Sequence, residues 1–264
     1  MKLEELRDLL AIAKQVASLA AAVHLRARQE VFDVQTKHSP ADLVTAVDRQ
    51  SERVLVDAIR KARPNDAIVS EEGTNESGTS EVCWVLDPLD GTTNFVHGYP
   101  AHSVSVGVEI DGVRAVGVVH DTYHDIVYAG IAGAGASCAG SKITVRSEHD
   151  LARALIGTGF LPQLEVRAYQ AVVLGSLLPL IRDVRRSGCP SLDLCAVAAG
   201  VLDGFYEAGL GRWDISAGAA IAAAAGASVA ELQSSLLPNP VLVVANAQLL
   251  EKVVAVLKDA GAVM

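Results

Sequence analysis

Residues 103–110 alternate strictly, with Val104, Val106, Val108 and Ile110 set between Ser103, Ser105, Gly107 and Glu109. A period of two marks a strand with one face buried. Asp111-Gly112 follows, a pair suited to the positive φ of a tight hairpin turn. Residues 113–120 are apolar enough to return beside the first strand, and 125–129 extend the pairing. Strands joined by so short a turn run antiparallel. The chain therefore cannot be a purely parallel α/β barrel or a plain Rossmann domain.

Helical patterns surround this sheet. Leu3, Leu6, Leu10 and Ala13 mark an amphipathic first helix. Residues 49–62 form a second, with Val54, Leu55, Ala58 and Ile59 on one face and Pro64 as its stop. Residues 67–70 and 82–86 read as short strands around a polar loop at 75–80. Beyond a short strand at 143–145, helices are expected over 166–184, 192–199, 216–225 and 247–260, with strands at 204–207 and 241–245. The glycine-rich stretch 130–140 lacks the GxGxxG spacing of a dinucleotide loop and reads as a flexible turn. Helices and hairpins interleave without a βαβ rhythm, so the expected class is layered α+β.

The 264 residues suit one domain spanning 1–264, within which two sublobes, 1–150 and 151–264, are allowed. Half the residues are hydrophobic but only 4% are aromatic, so Ala, Val and Leu must fill the core. Lys and Arg number 22 against 31 Asp and Glu, a net charge of -9. That balance disfavours nucleic acid as a direct ligand and favours cations where carboxylates converge. The start shows no signal-peptide pattern, and the uncharged run 215–230 is too short to span a membrane. Cys83, Cys138, Cys189 and Cys195 form neither a CxxC pair nor a zinc pattern. A reduced, cytoplasmic chain is the expectation.

The chemistry concentrates at 84–100, Trp-Val-Leu-Asp-Pro-Leu-Asp-Gly-Thr-Thr-Asn-Phe-Val-His-Gly-Tyr-Pro. Pro88 cannot continue a strand ladder, so Asp87 and Asp90 flank a kink. Two carboxylates so placed can aim at one hard cation such as Mg²⁺; an Asp-rich capped turn would show the same letters. Glu71-Glu72-Gly73 follows a short strand and reads alone as a solvated corner. Asp214, after Trp213, and Asp48, before the second helix, read alone as helix caps.

Together these pieces resemble the inositol monophosphatase family of metal-dependent sugar phosphatases, over nearly the whole chain. Residues 84–96 are similar to its first signature and 213–218, Trp-Asp-Ile-Ser-Ala-Gly, to its second. Further matches are Lys37-x-Ser39-Pro40-x-Asp42-Leu43-Val44-Thr45-x-x-Asp48, Glu71-Glu72-Gly73, Arg185-Arg186-Ser187-Gly188 and 191–207. The resemblance implies a layered αβαβα sandwich, usually a homodimer, with two or three Mg²⁺ per subunit.

It also implies roles. Glu71 and Asp87, with the carbonyl of Leu89, would hold one Mg²⁺; Asp87, Asp90 and Asp214 would hold a second. Glu71 would also face a weaker third ion, with Glu72 in support. Thr92, held by Asp48, would orient the attacking water. The amides of Gly91 and Thr92 would hold phosphate, and Lys37 would sit on a loop near the metals. Glu207 would accept bonds from inositol hydroxyls, with Gly188, Cys189 and Pro190 lining that pocket. Departures from the family pattern are Cys189 and Pro190 in place of Ser, Thr or Ala, no acid within 222–225, and no D-x-x-G turn in 231–240.

The expected function is Mg²⁺-dependent hydrolysis of inositol-1-phosphate or a related polyol phosphate by water attack, with lithium sensitivity implied. The alternatives are histidinol-phosphate phosphatase, or a family member serving as a protein partner of the transcription machinery. The intact set Glu71, Asp87, Asp90 and Asp214 favours the enzyme.

Overall fold

The structure, a computed structural model, describes residues 1–28, 34–36, 43–234, 237 and 239–263. Its first half runs α1 (Leu3–Ala27), β1 (Val34–Thr36), β2 (Leu43–Thr45), α2 (Ala46–Ala62), β3 (Ala67–Ser70), β4 (Asn75–Glu76), β5 (Val82–Asp90), α3 (Thr92–His97), β6 (Ser103–Ile110), β7 (Val113–Asp121), β8 (Ile126–Ile131), β9 (Gly135–Cys138) and β10 (Ser141–Ile143). The second half runs β11 (Leu155–Thr158), α4 (Leu164–Leu177), β12 (Asp183–Arg185), α5 (Pro190–Ala198), β13 (Gly204–Ala208), α6 (Arg212–Ala224), β14 (Ser228–Leu232), β15 (Val241–Ala245) and α7 (Ala247–Asp259).

Two large sheets organise these elements, and β1 and β2 form a separate antiparallel pair. The larger has eight strands in the order β10-β9-β8-β7-β6-β5-β3-β4, antiparallel except where β3 runs parallel to β5. The smaller has five, β12-β11-β13-β15-β14, with β11 parallel to both neighbours. Leu9, Ala13, Val16 and Ala20 of α1 and Leu55 and Ile59 of α2 bury one face of the large sheet against Trp84, Val106 and Val118. Leu194 of α5 and Ile215, Ala217 and Ile221 of α6 lie between the sheets, packed with Val119 on one side and Phe205 and Leu242 on the other. Val173 of α4 and Leu249, Val253 and Leu257 of α7 cover the outer face of the small sheet. The layers are therefore α, β, α, β, α, as expected.

The middle layer is thin because both partners are small. Gly107, Gly117 and Gly130 are register partners across β6, β7 and β8. A Cβ on Gly107 would overlap the Ser216 side chain, one on Gly117 the Ala217 carbonyl, and one on Gly130 would come within 2.9 Å of Ile221 Cα. The backbone of α6 lies directly in this glycine groove. Close approach by a bare backbone, rather than special φ, is what these glycines provide.

Several elements differ from the sequence reading. In α1 the buried stripe is Leu9, Ala13, Val16, Ala17 and Ala20, while Leu3 is exposed and Leu6 and Leu10 only flank the core. Residues 130–140 are not one turn: positive φ at Gly133, Gly135 and Gly140 sets tight turns around β9. The helix expected to 184 stops at Leu177, because Pro179 cannot continue it, and the chain then forms β12. Asn75 and Glu76, read as loop, pair with β3. Among the described residues α1 alone has the length and apolar content of a membrane span, and 44% of that stretch is buried inside the molecule.

Candidate metal centre and active site

The site forms where β5 breaks. Asp87 pairs with Ser105 and Asp90 with Ser103, so Pro88 and Leu89 bulge out of the ladder. The bulge turns both aspartates toward one point at the edge of the middle layer. Asp214 arrives from the first turn of α6. Ligand oxygens of Asp87, Asp90 and Asp214 all lie within 4.8 Å of one another. Asp87 and Asp90 are buried, and Asp214 is half-buried.

Glu71 joins from the turn after β3, where its amide bonds the Leu86 carbonyl at 3.2 Å. Its carboxyl lies within hydrogen-bonding reach of Asp87. Two carboxylates can face each other only with a proton or a cation between them. Burial first, then the charges of Glu71, Asp90 and Asp214, push the Asp87 carboxyl well above the ordinary range. Asp90 is also raised by burial, against hydrogen bonds from Ser191 and Cys189. An all-oxygen, all-acidic donor set of this kind fits a hard divalent cation and suits Mg²⁺.

Asp48 and Asp214 share a local logic. Neither is the cap of its helix; each is the third residue, reaching back to the cap. Asp48 Oδ2 accepts the Thr45 amide at 2.8 Å and its hydroxyl at 2.5 Å, while Oδ1 accepts the Thr92 hydroxyl at 3.0 Å. Asp214 Oδ2 accepts the Gly211 amide at 2.6 Å. The helix end thus fixes one oxygen and aims the other. Thr92 Oγ1 also lies 3.0 Å from the Leu89 carbonyl, and the Leu89 amide donates to Asp87 Oδ1 at 3.0 Å. The expected Thr92–Asp48 pair is therefore present. Gly91 precedes α3 with φ 83°, and a Cβ there would come 2.8 Å from the Ala101 carbonyl, so only glycine fits.

The second sheet supplies the other wall. Glu207 on β13 is buried, and burial first, then Asp214 and Asp193, drive its carboxyl well above the usual range. Its space exists because Gly159 has no side chain: a Cβ there would overlap the Glu207 carboxylate. Gly188 sits at φ 84° beside Asn94, whose side-chain amide donates to the Ser187 carbonyl at 2.9 Å. Cys189, expected to touch substrate, is instead fully buried, with its thiol 3.1 Å from Asp90 Oδ2. Burial and the neighbouring Asp90 charge raise that thiol well above its ordinary value, so it donates as S–H.

Sequence reasoning missed several partners. Ser191 gives Asp90 both its amide, at 2.8 Å, and its hydroxyl, and Ser103 bonds Ser191 at 2.7 Å. The only sequence signals were the place of Ser191 in the matched stretch 191–207 and of Ser103 in the period-two run at 103–110. Lys37 lies outside the described residues.

Comparison with known proteins places the chain in a family. The model of the inositol monophosphatase family matches residues 5–262. The chain belongs to the inositol monophosphatase family. An inositol-1-monophosphatase SuhB of Mycobacterium tuberculosis (strain ATCC 25618 / H37Rv) is 42% identical over 237 residues, 83% of this chain and 82% of that protein. A Nus factor SuhB of Pasteurella multocida (strain Pm70) is 38% identical over 229 residues, 86% of each chain. The crystal structure of extragenic suppressor protein suhB from Bartonella henselae superposes with a TM-score of 0.89 at 30% identity, covering 95% of this chain and 98% of that one. The family is one of phosphatases, and the α+β sandwich and hydrolase class expected from sequence both stand.

Proposed function

We propose that this chain is a Mg²⁺-dependent phosphate monoester hydrolase acting on inositol-1-phosphate or a close polyol phosphate. The observation that carries the reading is the convergence of Asp87, Asp90 and Asp214 beside the Thr92–Asp48 pair. Glu71, Asp87 and the Leu89 carbonyl would hold one ion; Asp87, Asp90 and Asp214 would hold another. When bound, Mg²⁺ supplies the charge that offsets a phosphate dianion and acidifies a coordinated water.

The chain's own groups supply orientation. The Thr92 hydroxyl donates its proton to Asp48, which leaves its oxygen lone pairs to accept a proton of the attacking water. The buried Asp48 is thereby a fixed acceptor that sets the direction of Thr92. The amides of Gly91, the cap of α3, and of Thr92, its first residue, have no intrahelical carbonyl partner and so suit phosphate oxygens. Glu207 stands across the site, where a carboxylate can accept bonds from ring hydroxyls. Gly188 and Pro190 shape that wall, and Cys189 acts from behind, through Asp90. The chain works as one domain, in the cytoplasm, as a homodimer with two or three Mg²⁺ per subunit.

The test is phosphate release with Mg²⁺ from inositol-1-phosphate, histidinol phosphate, fructose-1,6-bisphosphate and a 3′-phosphonucleotide side by side. A lead for inositol-1-phosphate that Glu207→Gln removes is the expected result. A lead for histidinol phosphate overturns the substrate and keeps the metal chemistry. The Nus factor name of the Pasteurella relative favours a second reading, a protein partner of the transcription machinery. It would stand alone if Asp90→Asn abolished turnover and left that interaction intact.

A further inference from the structure

Behind the metal-binding turn lies a buried polar chain that the catalytic scheme does not use. His24 of α1 is fully buried, with Nε2 3.0 Å from the Pro88 carbonyl and Nδ1 3.0 Å from Thr122 Oγ1. Thr122 Oγ1 in turn lies 2.7 Å from His102 Nδ1, and His102 Nε2 lies 3.1 Å from Arg28 Nη2. Arg28 is seated over the Tyr123 ring, 4.2 Å from its centroid.

With both imidazoles neutral, one arrangement of protons satisfies these contacts. The Pro88 carbonyl only accepts, so His24 Nε2 carries hydrogen. Burial holds His24 down at about 3, so it is neutral and its Nδ1 accepts from the Thr122 hydroxyl. With that hydrogen committed, Thr122 accepts from His102 Nδ1–H. Burial, then the Arg28 charge, holds His102 at about 4, so its Nε2 is bare and accepts from Arg28. The chain is one-way: Arg28 to His102 to Thr122 to His24 to Pro88. Thr122 Oγ1 also approaches the His102 carbonyl, at 3.3 Å, a longer contact than the one to His24.

The end point matters because Pro88 lies in the β5 bulge, where the ladder offers no partner. We infer that His24, Thr122 and His102 are positioning residues for metal binding, holding the Pro88 carbonyl so that Asp87, Leu89 and Asp90 keep their aim. The inference rests on the metal-hydrolase reading above. Phe95, from α3, packs edge-on to His102 at 5.0 Å and tilted to His24 at 5.7 Å between centroids, which ties the Thr92 turn to the same cluster. A neutral, directional donor also suits a site crowded with carboxylates, since it adds no charge that would compete with a cation.

The test is Mn²⁺ binding to the purified chain without substrate, read by electron paramagnetic resonance, beside the Mg²⁺ level for half-maximal hydrolysis. Outer partners of metal ligands typically carry about 10–100-fold in metal affinity. Thr122→Val, which removes only a hydroxyl, and His24→Phe, which keeps the ring, should each weaken Mn²⁺ about tenfold and raise the Mg²⁺ requirement in parallel. His24→Gln, whose side-chain amide can still donate to Pro88, should recover most of that loss. Thr122→Val guards against a His24 variant that fails to fold. A lowered melting temperature with unchanged Mn²⁺ affinity in both variants would show a merely structural cluster and overturn the inference. A wild-type chain that binds no Mn²⁺ would overturn the metal reading itself, and this one with it.

Discussion

The two walls of the site are built differently. The large sheet presents Asp87 and Asp90 from a single bulge, each braced by neighbours: the Leu89 amide on one, Ser191 and Cys189 on the other. The small sheet presents Glu207 in a space made by a missing side chain, with Asp193, Asp214 and Arg186 acting on it through charge. One wall is rigid and generic to the chemistry. The other is shaped by single residues. Catalysis and selectivity should therefore separate when each wall is altered in turn.

The sharpest break is expected on the rigid wall. Asp87→Asn removes a carboxylate central to the cluster and should lower kcat/KM roughly 10³-fold, several kcal/mol of transition-state stabilisation. Steady-state kinetics at saturating Mg²⁺ checks it. Glu207→Gln should act on the other wall alone. It should lower kcat/KM for inositol-1-phosphate about 10–100-fold, the cost of leaving a buried hydrogen-bonding group mismatched, and leave a simple monoester nearly unaffected. Equal losses on both substrates would erase the distinction between the walls.

Metal removal should expose the same contrast through stability. Asp87 and Asp90 have folded-state pKa values raised by burial. Such groups favour the fold fully below the unfolded carboxylate range, about pH 4, and lose that contribution as pH rises through their folded values. A bound cation offsets the loss. The rise in Tm produced by Mg²⁺, and reversed by EDTA, should therefore be larger at pH 8 than at pH 5 in calorimetry.

The smallest effect belongs to Asp193, on α5 behind the second wall. Burial raises its carboxyl to about 7. Its contribution is present below about pH 4 and is lost as pH climbs through 7. Asp193→Asn should gain stability relative to the parent as pH rises from 4 to 7, read as a relative rise in Tm. A difference independent of pH would place the cause elsewhere.

Much of the rigid wall was legible in the sequence because its signals are local. Pro88 does interrupt the ladder, Asp87 and Asp90 do flank the kink, and the period-two run at 103–110 is the strand that receives them. What failed to show was anything set by distant packing. Asp48 and Asp214 looked like caps, but the cap is Thr45 in one helix and Gly211 in the other, one turn earlier. Cys189 looked like pocket lining; its buried orientation depends on Asp90, 99 residues away. Ser191, Gly159 and the His24–Thr122–His102 chain each act across two or more elements, where periodicity carries no information. The glycines of 130–140 hid β9, and the strand expected at 143–145 lies earlier, at Ser141–Ile143.

The groove of Gly107, Gly117 and Gly130 seats the helix that carries Asp214 in its first turn. Where side chains meet, an added methyl is absorbed by a change of rotamer. Where backbone lies on backbone, nothing can swing aside. A methyl at Gly130, beneath the far turns of α6, would tip the whole helix like a lever about its seat and move the third carboxylate at the opposite end. The height of a site carboxylate is thus written in positions that lie outside the site. The accuracy this confers comes with brittleness: the seat tolerates no enlargement, while the hydrophobic layers around it remain free to drift.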